Sequence, residues 1–350
     1  MTDVYIIIVN WNNWKDTLIC LESIFRNDYP DFKVIVCDND SGDNSLLHIR
    51  SWAAGLHETS LPSDLHLQKN HISAPISKPI KTREYDRALA ESGGDTADNE
   101  SRLILIQTGK NLGFAGGNNV GLRYALSRSD FNYIWLLNND TVIKTDSLTH
   151  LVKKMKEHPD AGMCGSTLLY YNKPGIVQAY GGGTYNKWLG YSKHIGAFNN
   201  IDKPINTKLI ESTMDYVVGA SMLISRKFLK DVGMISEEYF LFFEDIDWAV
   251  RGKIYFRLTY APESIVYHKE GESTGSGSNP KYKSLLADYY SIRARLLLTR
   301  KFFPFALPTV YLGLLVTVFN RIIRRKYARI GMIIRLLLNP DADLIRKSNL

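Results

Sequence analysis

The chain has 350 residues, 45% of them hydrophobic, enough to bury a sizeable core with room for one large domain plus additions. Its three cysteines, Cys20, Cys37 and Cys164, are too widely spaced for a metal-binding or disulfide pattern, which favours a reducing, cytosolic setting. The net charge of +7 is uneven: residues 281–350 carry 14 Lys and Arg against 3 acids, leaving −4 for the first 280, and because these basic residues flank apolar sequence they give no reason to expect a nucleic-acid partner.

Val4 to Val9 is an uninterrupted apolar, β-rich run followed by Asn10-Trp11-Asn12. No basic segment precedes it, so it reads as a strand and not as a signal peptide. Trp14 to Phe25 places Leu18, Leu21, Ile24 and Phe25 at helical spacing. A second run, Lys33 to Cys37, ends in Asp38-Asn39-Asp40-Ser41. Residues 53–101 form a polar insertion with Pro62, Pro75 and Pro79 and no clear hydrophobic periodicity apart from a short piece from Tyr85 to Leu89; they read as a mobile loop with no catalytic role, or else as an ordered surface insertion near the donor pocket. A third run, Leu103 to Gln107, leads into Asn111 to Asn119, rich in Gly and Asn, and a fourth, Tyr133 to Leu137, stops at Asn138-Asn139-Asp140. Strands alternating with helices predict a parallel sheet whose polar strand ends converge on one edge, where open α/β sheets bind ligands. Asp140 at such an end suits a hard divalent cation, although Asn-Asn-Asp also reads as an ordinary turn.

Six pieces in order resemble family 2 glycosyltransferases of the GT-A fold, close to the bacterial rhamnosyltransferase-like branch. They are VNWN (Val9 to Asn12), DNDSGD (Asp38 to Asp43), NLGFAGGNNVG (Asn111 to Gly121), LLNNDT (Leu136 to Thr141), FFEDIDWAVR (Phe242 to Arg251) and VYHKEGES (Val266 to Ser273). The resemblance implies an α/β, Rossmann-like nucleotide-sugar-binding domain over residues 1–280 with a mostly parallel central sheet. It implies an inverting hexosyltransferase that uses Mg2+ or Mn2+, with Asp140 and His268 as metal ligands, the latter in a Val-x-His-x-x-Gly setting that could also be structural. Asn138 and Asn139 stand where the commoner pattern has a first acid, which leaves one anionic ligand in this segment.

By the same motif match Asp245 is the general base, with Glu244 orienting the site or contacting the acceptor. Acids beside Phe240, Leu241, Phe242 and Phe243 should be partly desolvated, which favours proton uptake, while the dipole of a helix N-terminus stabilises such acids as well. Asp247, on the other side of the turn, can pair with Arg251 at i+4. Asp38 matches the residue that accepts the imide N–H of a uracil or thymine. Asn10, Asn12 and Asn39 can serve the base and ribose, or cap the helix near Trp14. Gly113, Gly116 and Gly117 let backbone approach the donor, and Asn111, Asn118, Asn119 and Asn139 complete that face, with Asn118 and Asn119 opening a helix whose N–H groups favour anions. These glycines do not form the dinucleotide fingerprint, which argues against an NAD enzyme.

Two departures concern the acceptor and phosphate sites. Arg293 can reach a phosphate, but Ala294 follows where the family usually has Asn, and Trp248 replaces a commoner Leu and could reshape the acceptor pocket. The Gly271 to Pro280 loop is rich enough in Gly and Ser to close over a donor, or simply to tether the C-terminal helices.

Phe302 to Phe319 holds 18 residues without a charge and is followed by Arg321, Arg324, Arg325, Lys326 and Arg329. As a helix it would be about 27 Å long, close to a hydrocarbon core of roughly 30 Å, but Pro304 and Pro308 sit near its start. Ile322 to Leu338 mixes apolar residues with Arg. Residues 281–350 thus read as a basic, apolar helical region that attaches peripherally or monotopically to the inner face of the cell membrane, or packs on the domain or on a second copy in a homo-oligomer. The expected partners are a pyrimidine nucleotide-sugar, with dTDP-rhamnose the first candidate and UDP-galactofuranose or UDP-N-acetylglucosamine the alternatives, and a lipid-linked or polysaccharide acceptor. A non-catalytic donor-binding scaffold in a polysaccharide assembly complex is the competing class, and the intact Asp38, Asp140, Asp245 and His268 set speaks against it.

Overall fold

The computed structural model describes residues 2–57, 76–95, 97, 100–269, 284–323, 325 and 327–339. The Gly271 to Pro280 loop and the boundary expected after residue 280 lie outside them, as do residues 58–75 of the insertion.

β1 (Val4–Asn10) sits inside the main sheet, bonded in parallel to β2 (Phe32–Asp38) on one side and to β5 (Tyr133–Leu137) on the other. Residues Val4 to Ile8 have no exposed surface, which is why this strand reads as a continuous apolar run and not an alternating one. β4 (Leu103–Gln107) pairs in parallel with β2, and the crossovers are helices α1 (Trp14–Ile24), α2 (Ser45–Ala53) and α4 (Gly113–Arg128).

Part of the insertion is ordered, in contrast to the loop expected there. β3 (Thr82–Asp86) adds a parallel edge strand to β4 and is followed by the short helix α3 (Arg87–Glu91). The strand was hidden because its sequence, TREYD, buries only Tyr85 and presents charges to solvent, as edge strands do.

The other half of the sheet is mixed. After β6 (Thr141–Ile143) and α5 (Ser147–Glu157) come β7 (Ala161–Tyr170), β8 (Lys173–Tyr180), β9 (Gly182–Asn186) and β10 (Tyr191–His194). Then follow α6 (Thr207–Thr213), β11 (Tyr216–Val217), β12 (Ser221–Ser225), α7 (Arg226–Val232), α8 (Glu244–Gly252) and β13 (Arg257–His268). β12 runs antiparallel to β5 and β7, while β13 pairs in parallel with β7 and antiparallel with β6. In the order β3-β4-β2-β1-β5-β12-β7-β13-β6 the strands run parallel as far as β5, β12 is reversed, β7 and β13 resume the first direction and β6 is reversed again, so the sheet is mostly parallel; β10-β9-β11 form a small separate sheet.

The C-terminal helices are α9 (Leu285–Phe302), α10 (Leu307–Ile323), preceded by a 3-10 turn at Pro304–Ala306, and α11 (Tyr327–Leu338). α9 belongs to the domain: Ala294 and Leu298 join its main core, while Tyr289 and Leu296 build a second apolar cluster with Val310, Leu314, Ile333 and Leu336.

Candidate active site

The ends of β1, β2 and β5 are tied by one buried polar chain. Asn10 donates to Asp38 at 2.7 Å, Thr17 donates to Asn10 at 2.7 Å, and Asn139 donates to Thr17 at 3.0 Å. Asn39 bridges outward, its amide donating to the Gly113 carbonyl at 2.9 Å, which fixes the start of α4 against the β2 loop. Gly113 has φ +69°, and a Cβ there would stand 2.3 Å from the Phe240 carbonyl, so only glycine allows this approach. The neighbouring Phe114 N–H donates to that same carbonyl at 2.9 Å and so brings the Phe240–Phe243 segment to the sheet edge.

The result is a cavity of about 460 Å³, within the range of small-ligand sites. On one side lie Val9, Trp11, Asn39, Asn111 and Gly113, on another Asn138, Asn139, Asp140 and His268, and on a third Phe240–Phe243, Glu244 and Asp245. A larger cleft of about 920 Å³ lies elsewhere, over α5 and α6; Lys154 and Arg257 in its lining pair with Glu211, and it contains none of the motif residues.

Asp140 and His268 meet, Oδ1 to Nε2, at 3.2 Å, both nearly buried. β6 and β13 bring them together, because Thr141 pairs with His268 across the ladder. Gln178 from β8 lies behind the histidine, its amide oxygen 2.9 Å from Nδ1. That contact orients the ring so that Nε2 lies 3.2 Å from Asp140 and 3.3 Å from the Asn138 amide nitrogen. Burial would raise the Asp140 pKa, but His268 and Lys269 outweigh it and hold the carboxyl below its usual range. A buried carboxylate oxygen with no hydrogen-bond partner, beside an imidazole nitrogen on one wall of an open cavity, fits a divalent cation. Among the described residues no group of three or more His, Cys, Asp or Glu could hold a metal, so the other ligands of such an ion would be donor phosphates and water.

The acid pair sits at the N-terminus of α8, after two strained residues, Phe242 (φ 70°) and Phe243 (φ 66°), in a left-handed conformation that side chains rarely adopt. Asp245 accepts from the Ile246 N–H at 2.8 Å and from the Gly219 N–H at 3.3 Å. Glu244 is buried with Oε2 unpartnered. Burial pushes Asp245 up to about 6 despite its backbone donors, and burial together with the Asp245 charge pushes Glu244 up to about 8. The pair therefore gives up its first proton near neutrality and the second with more difficulty.

Several predicted residues are not brought to the cavity. Trp248 is buried behind the site, its indole donating to the Gly233 carbonyl and packing on Phe228, so it does not shape the pocket. Asp247 is fully buried between Arg251 at 2.7 Å and Lys301 at 2.9 Å. Arg293 donates to the Glu238 carbonyl at 2.7 Å. Asp38 turns inward and accepts from Asn10 and Ser41. Asn118 donates to the Phe114 carbonyl, Gly117 packs against Val9 and Asn39, and Asn12 accepts from the Gly42 N–H. These residues hold the frame. Sequence reading missed Gln178, Ser192, His194 and Tyr216, which line the cavity from β8, β10 and β11. No motif marks them: Gln178 comes from β8 at the side of the main sheet and the other three from the small β10-β9-β11 sheet.

The fold thus gathers an aspartate–histidine pair at one wall of the cavity and a raised carboxylate pair at another. The sequence profile of glycosyl transferase family 2 matches residues 5–72 and 81–233, and the chain belongs to that family. It is 24% identical over 154 residues to the low-salt glycan biosynthesis hexosyltransferase Agl10 of Haloferax volcanii, covering 43% of this chain and 46% of Agl10. It is 24% identical over 210 residues to the dTDP-rhamnosyl transferase RfbF of Shigella flexneri (57% of this chain, 64% of RfbF), and 25% identical over 228 residues to the rhamnosyltransferase WbbL of Escherichia coli K12 (59% and 84%). The matched region thus spans about half of Agl10 and just under two thirds of RfbF. In fold it is similar to the mannosyltransferase PcManGT from Pyrobaculum calidifontis, solved with GDP-Man and Mn2+, with a TM-score of 0.52 at 14% identity over 97% of this chain and 87% of that one.

Proposed function

We propose that the protein is an inverting, divalent-metal-dependent glycosyltransferase that moves a sugar from a pyrimidine nucleotide-sugar, dTDP-rhamnose first, to a lipid-linked or polysaccharide acceptor. The observation that carries this reading is one cavity holding Asp140 and His268 on one wall and Asp245 with Glu244 on another. The rhamnosyl relatives RfbF and WbbL support the sugar.

In this reading the nucleotide lies along Trp11, Asn39 and Asn111, with its diphosphate toward Asp140. A cation held by Asp140 and His268 would act as a Lewis acid on the departing diphosphate. Asp245 takes the proton of the acceptor hydroxyl as that oxygen bonds to the anomeric carbon, and the bond to the nucleotide diphosphate breaks on the opposite face. One base and one displacement give inversion. Glu244, protonated near neutrality, can donate a hydrogen bond to the acceptor without adding a second charge. The net positive, apolar C-terminal region supports work at the inner face of a cell membrane.

Nucleotide release tests this reading: purified protein with Mg2+ or Mn2+ is given dTDP-, UDP- and GDP-sugars in parallel with Asp140→Ala. Slow metal-dependent release from one donor, lost in the variant, is expected. A folded protein that binds no nucleotide in the presence of metal would remove the enzyme reading in favour of a scaffold.

A further inference from the structure

α10 turns one apolar face outward. Phe305, just ahead of it, and Leu312, Leu315, Val316, Phe319 and Ile323 recur at helical spacing, and each is more than half exposed. The opposite face is occupied: Val310 and Leu314 pack with Ile333 and Leu336 of α11 against α9. Both helices are also pinned to α9 through the buried Asp288, which accepts two bonds from Arg321 at 2.5 and 2.8 Å and one from Arg329 at 3.0 Å. Thr309 donates to the Trp188 carbonyl at 2.5 Å, a further tie to the domain.

We infer that α10 and α11 form a hairpin lying in the plane of an anionic lipid surface, with α10 embedded sideways and not crossing the bilayer. This rests on the membrane reading given above and specifies its geometry. The segment Pro304–Ile323, with a mean hydropathy of 1.6, has the composition of a span, but only its outer face is free. Length does not decide between the two, because the 20 residues of Pro304–Ile323 reach about 30 Å as a helix, the thickness of a hydrocarbon core; the packing does. To cross, it would have to leave α9, uncover Asp288 and carry Arg321 away from it. A lipid surface is favoured over a second copy by charge: the +11 of residues 281–350 suits an anionic surface, and Arg325 and Arg335 are exposed, whereas a symmetric dimer would set +11 against +11.

The placement also concerns the acceptor. Phe240, Leu241 and Phe242 pack on the same cluster as the hairpin while lining the cavity, and the Phe240 and Tyr290 rings stack at 4.7 Å. A hairpin lying in the lipid sets that wall of the cavity beside the surface, so an acceptor carried on a lipid reaches Asp245 by lateral movement.

The test uses the full chain with vesicles of phosphatidylcholine alone or with about 30% phosphatidylglycerol, an anionic content in keeping with charge-driven binding. All native cysteines are buried, so single introduced cysteines can be labelled selectively. Expected are flotation with anionic vesicles that weakens with added salt, shallow quenching of a fluorophore at Leu315→Cys, and full modification of Asn339→Cys by an impermeant maleimide added outside. Leu315→Glu with Phe319→Glu, on the exposed face, should abolish flotation while donor hydrolysis and thermal melting stay unchanged. Flotation with Asn339→Cys protected until detergent is added would overturn the in-plane geometry and leave membrane attachment standing. Absence of flotation would remove both, and a concentration-dependent dimer broken by the double Glu variant would assign the face to a second copy.

Discussion

Asp245→Asn separates chemistry from binding. The amide keeps the size of the side chain and one oxygen that can accept the 2.8 Å bond from the Ile246 N–H, so the turn at the start of α8 is retained. What is lost is the proton acceptor. General-base catalysis contributes roughly 10²–10⁴-fold, so kcat should fall by that factor, about 3–5 kcal/mol in barrier, while nucleotide affinity changes by no more than about twofold, since the donor side of the cavity is untouched. The pH profile adds an independent mark. A base works deprotonated, and burial pushes Asp245 up to about 6, so the wild-type rate should climb as pH rises through that region and flatten above it. Transfer to acceptor is measured by nucleotide release under saturating donor, from pH 5 to 9, alongside nucleotide binding by calorimetry. A loss smaller than about tenfold, or an acid limb that survives in the Asn variant, would refute the assignment of Asp245 as base.

Three further outcomes follow from neighbouring residues. Gln178→Leu removes the acceptor behind His268 and should weaken Mn2+ binding by about 10–100-fold, the usual cost of losing such a partner, with Gln178→Glu recovering much of it. Calorimetric metal titration reads this, and unchanged affinity in Gln178→Leu would count against the role. Asp247→Ala strips a fully buried acid from Arg251 and Lys301 and should cost on the order of 2 kcal/mol, discounted from a fully buried pair because both cations retain access to water. Urea unfolding measures it, and nucleotide affinity should not change. Glu244→Gln should stabilise the fold at alkaline pH. The folded pKa of Glu244 is raised to about 8, so its favourable contribution, complete below the ordinary carboxylate range, is lost as pH rises through 8. The melting temperature of the variant should thus exceed that of wild type by a few degrees at pH 9 and match it near pH 4.

The sequence revealed the parts of the molecule whose physics is local. β1, β2, β4 and β5 are buried on both faces, and such strands are continuous apolar runs that end where polar loops begin, so the sheet and the edge at which its polar ends gather could be read directly. Asp140 and Asp245 line one cavity, and each stands beside a distinctive apolar run in the sequence. The edge strand β3 was not legible, because an edge strand with solvated charges has no hydrophobic signal. Trp248 was misjudged for a related reason: proximity in sequence to Asp245 places it one turn around α8, on the face that packs against Phe228 and not on the cavity. Gln178 and Tyr216 were invisible, because only the tertiary packing of β8 and of the small β10-β9-β11 sheet brings them to the cavity wall.

The two walls of the cavity treat the same functional group in opposite ways, and the fold supplies both treatments. Asp140 is buried, which should discourage ionisation, yet His268 and Lys269 reverse that and keep the carboxyl charged. Asp245 lies beside an aromatic run with only backbone N–H groups to stabilise its charge, and its pKa rises. An anion held ready to meet a cation and a carboxylate poised to take a proton near neutral pH are the two requirements of displacing a diphosphate with a hydroxyl. The strain at Phe242 and Phe243 is part of the arrangement. Two left-handed aromatic residues fix the start of α8, and their segment is held by the Phe114 N–H on one side and by the α9–α11 cluster on the other. The C-terminal helices therefore support the wall that carries the proposed base, and loosening them should disturb Asp245 before it disturbs Asp140.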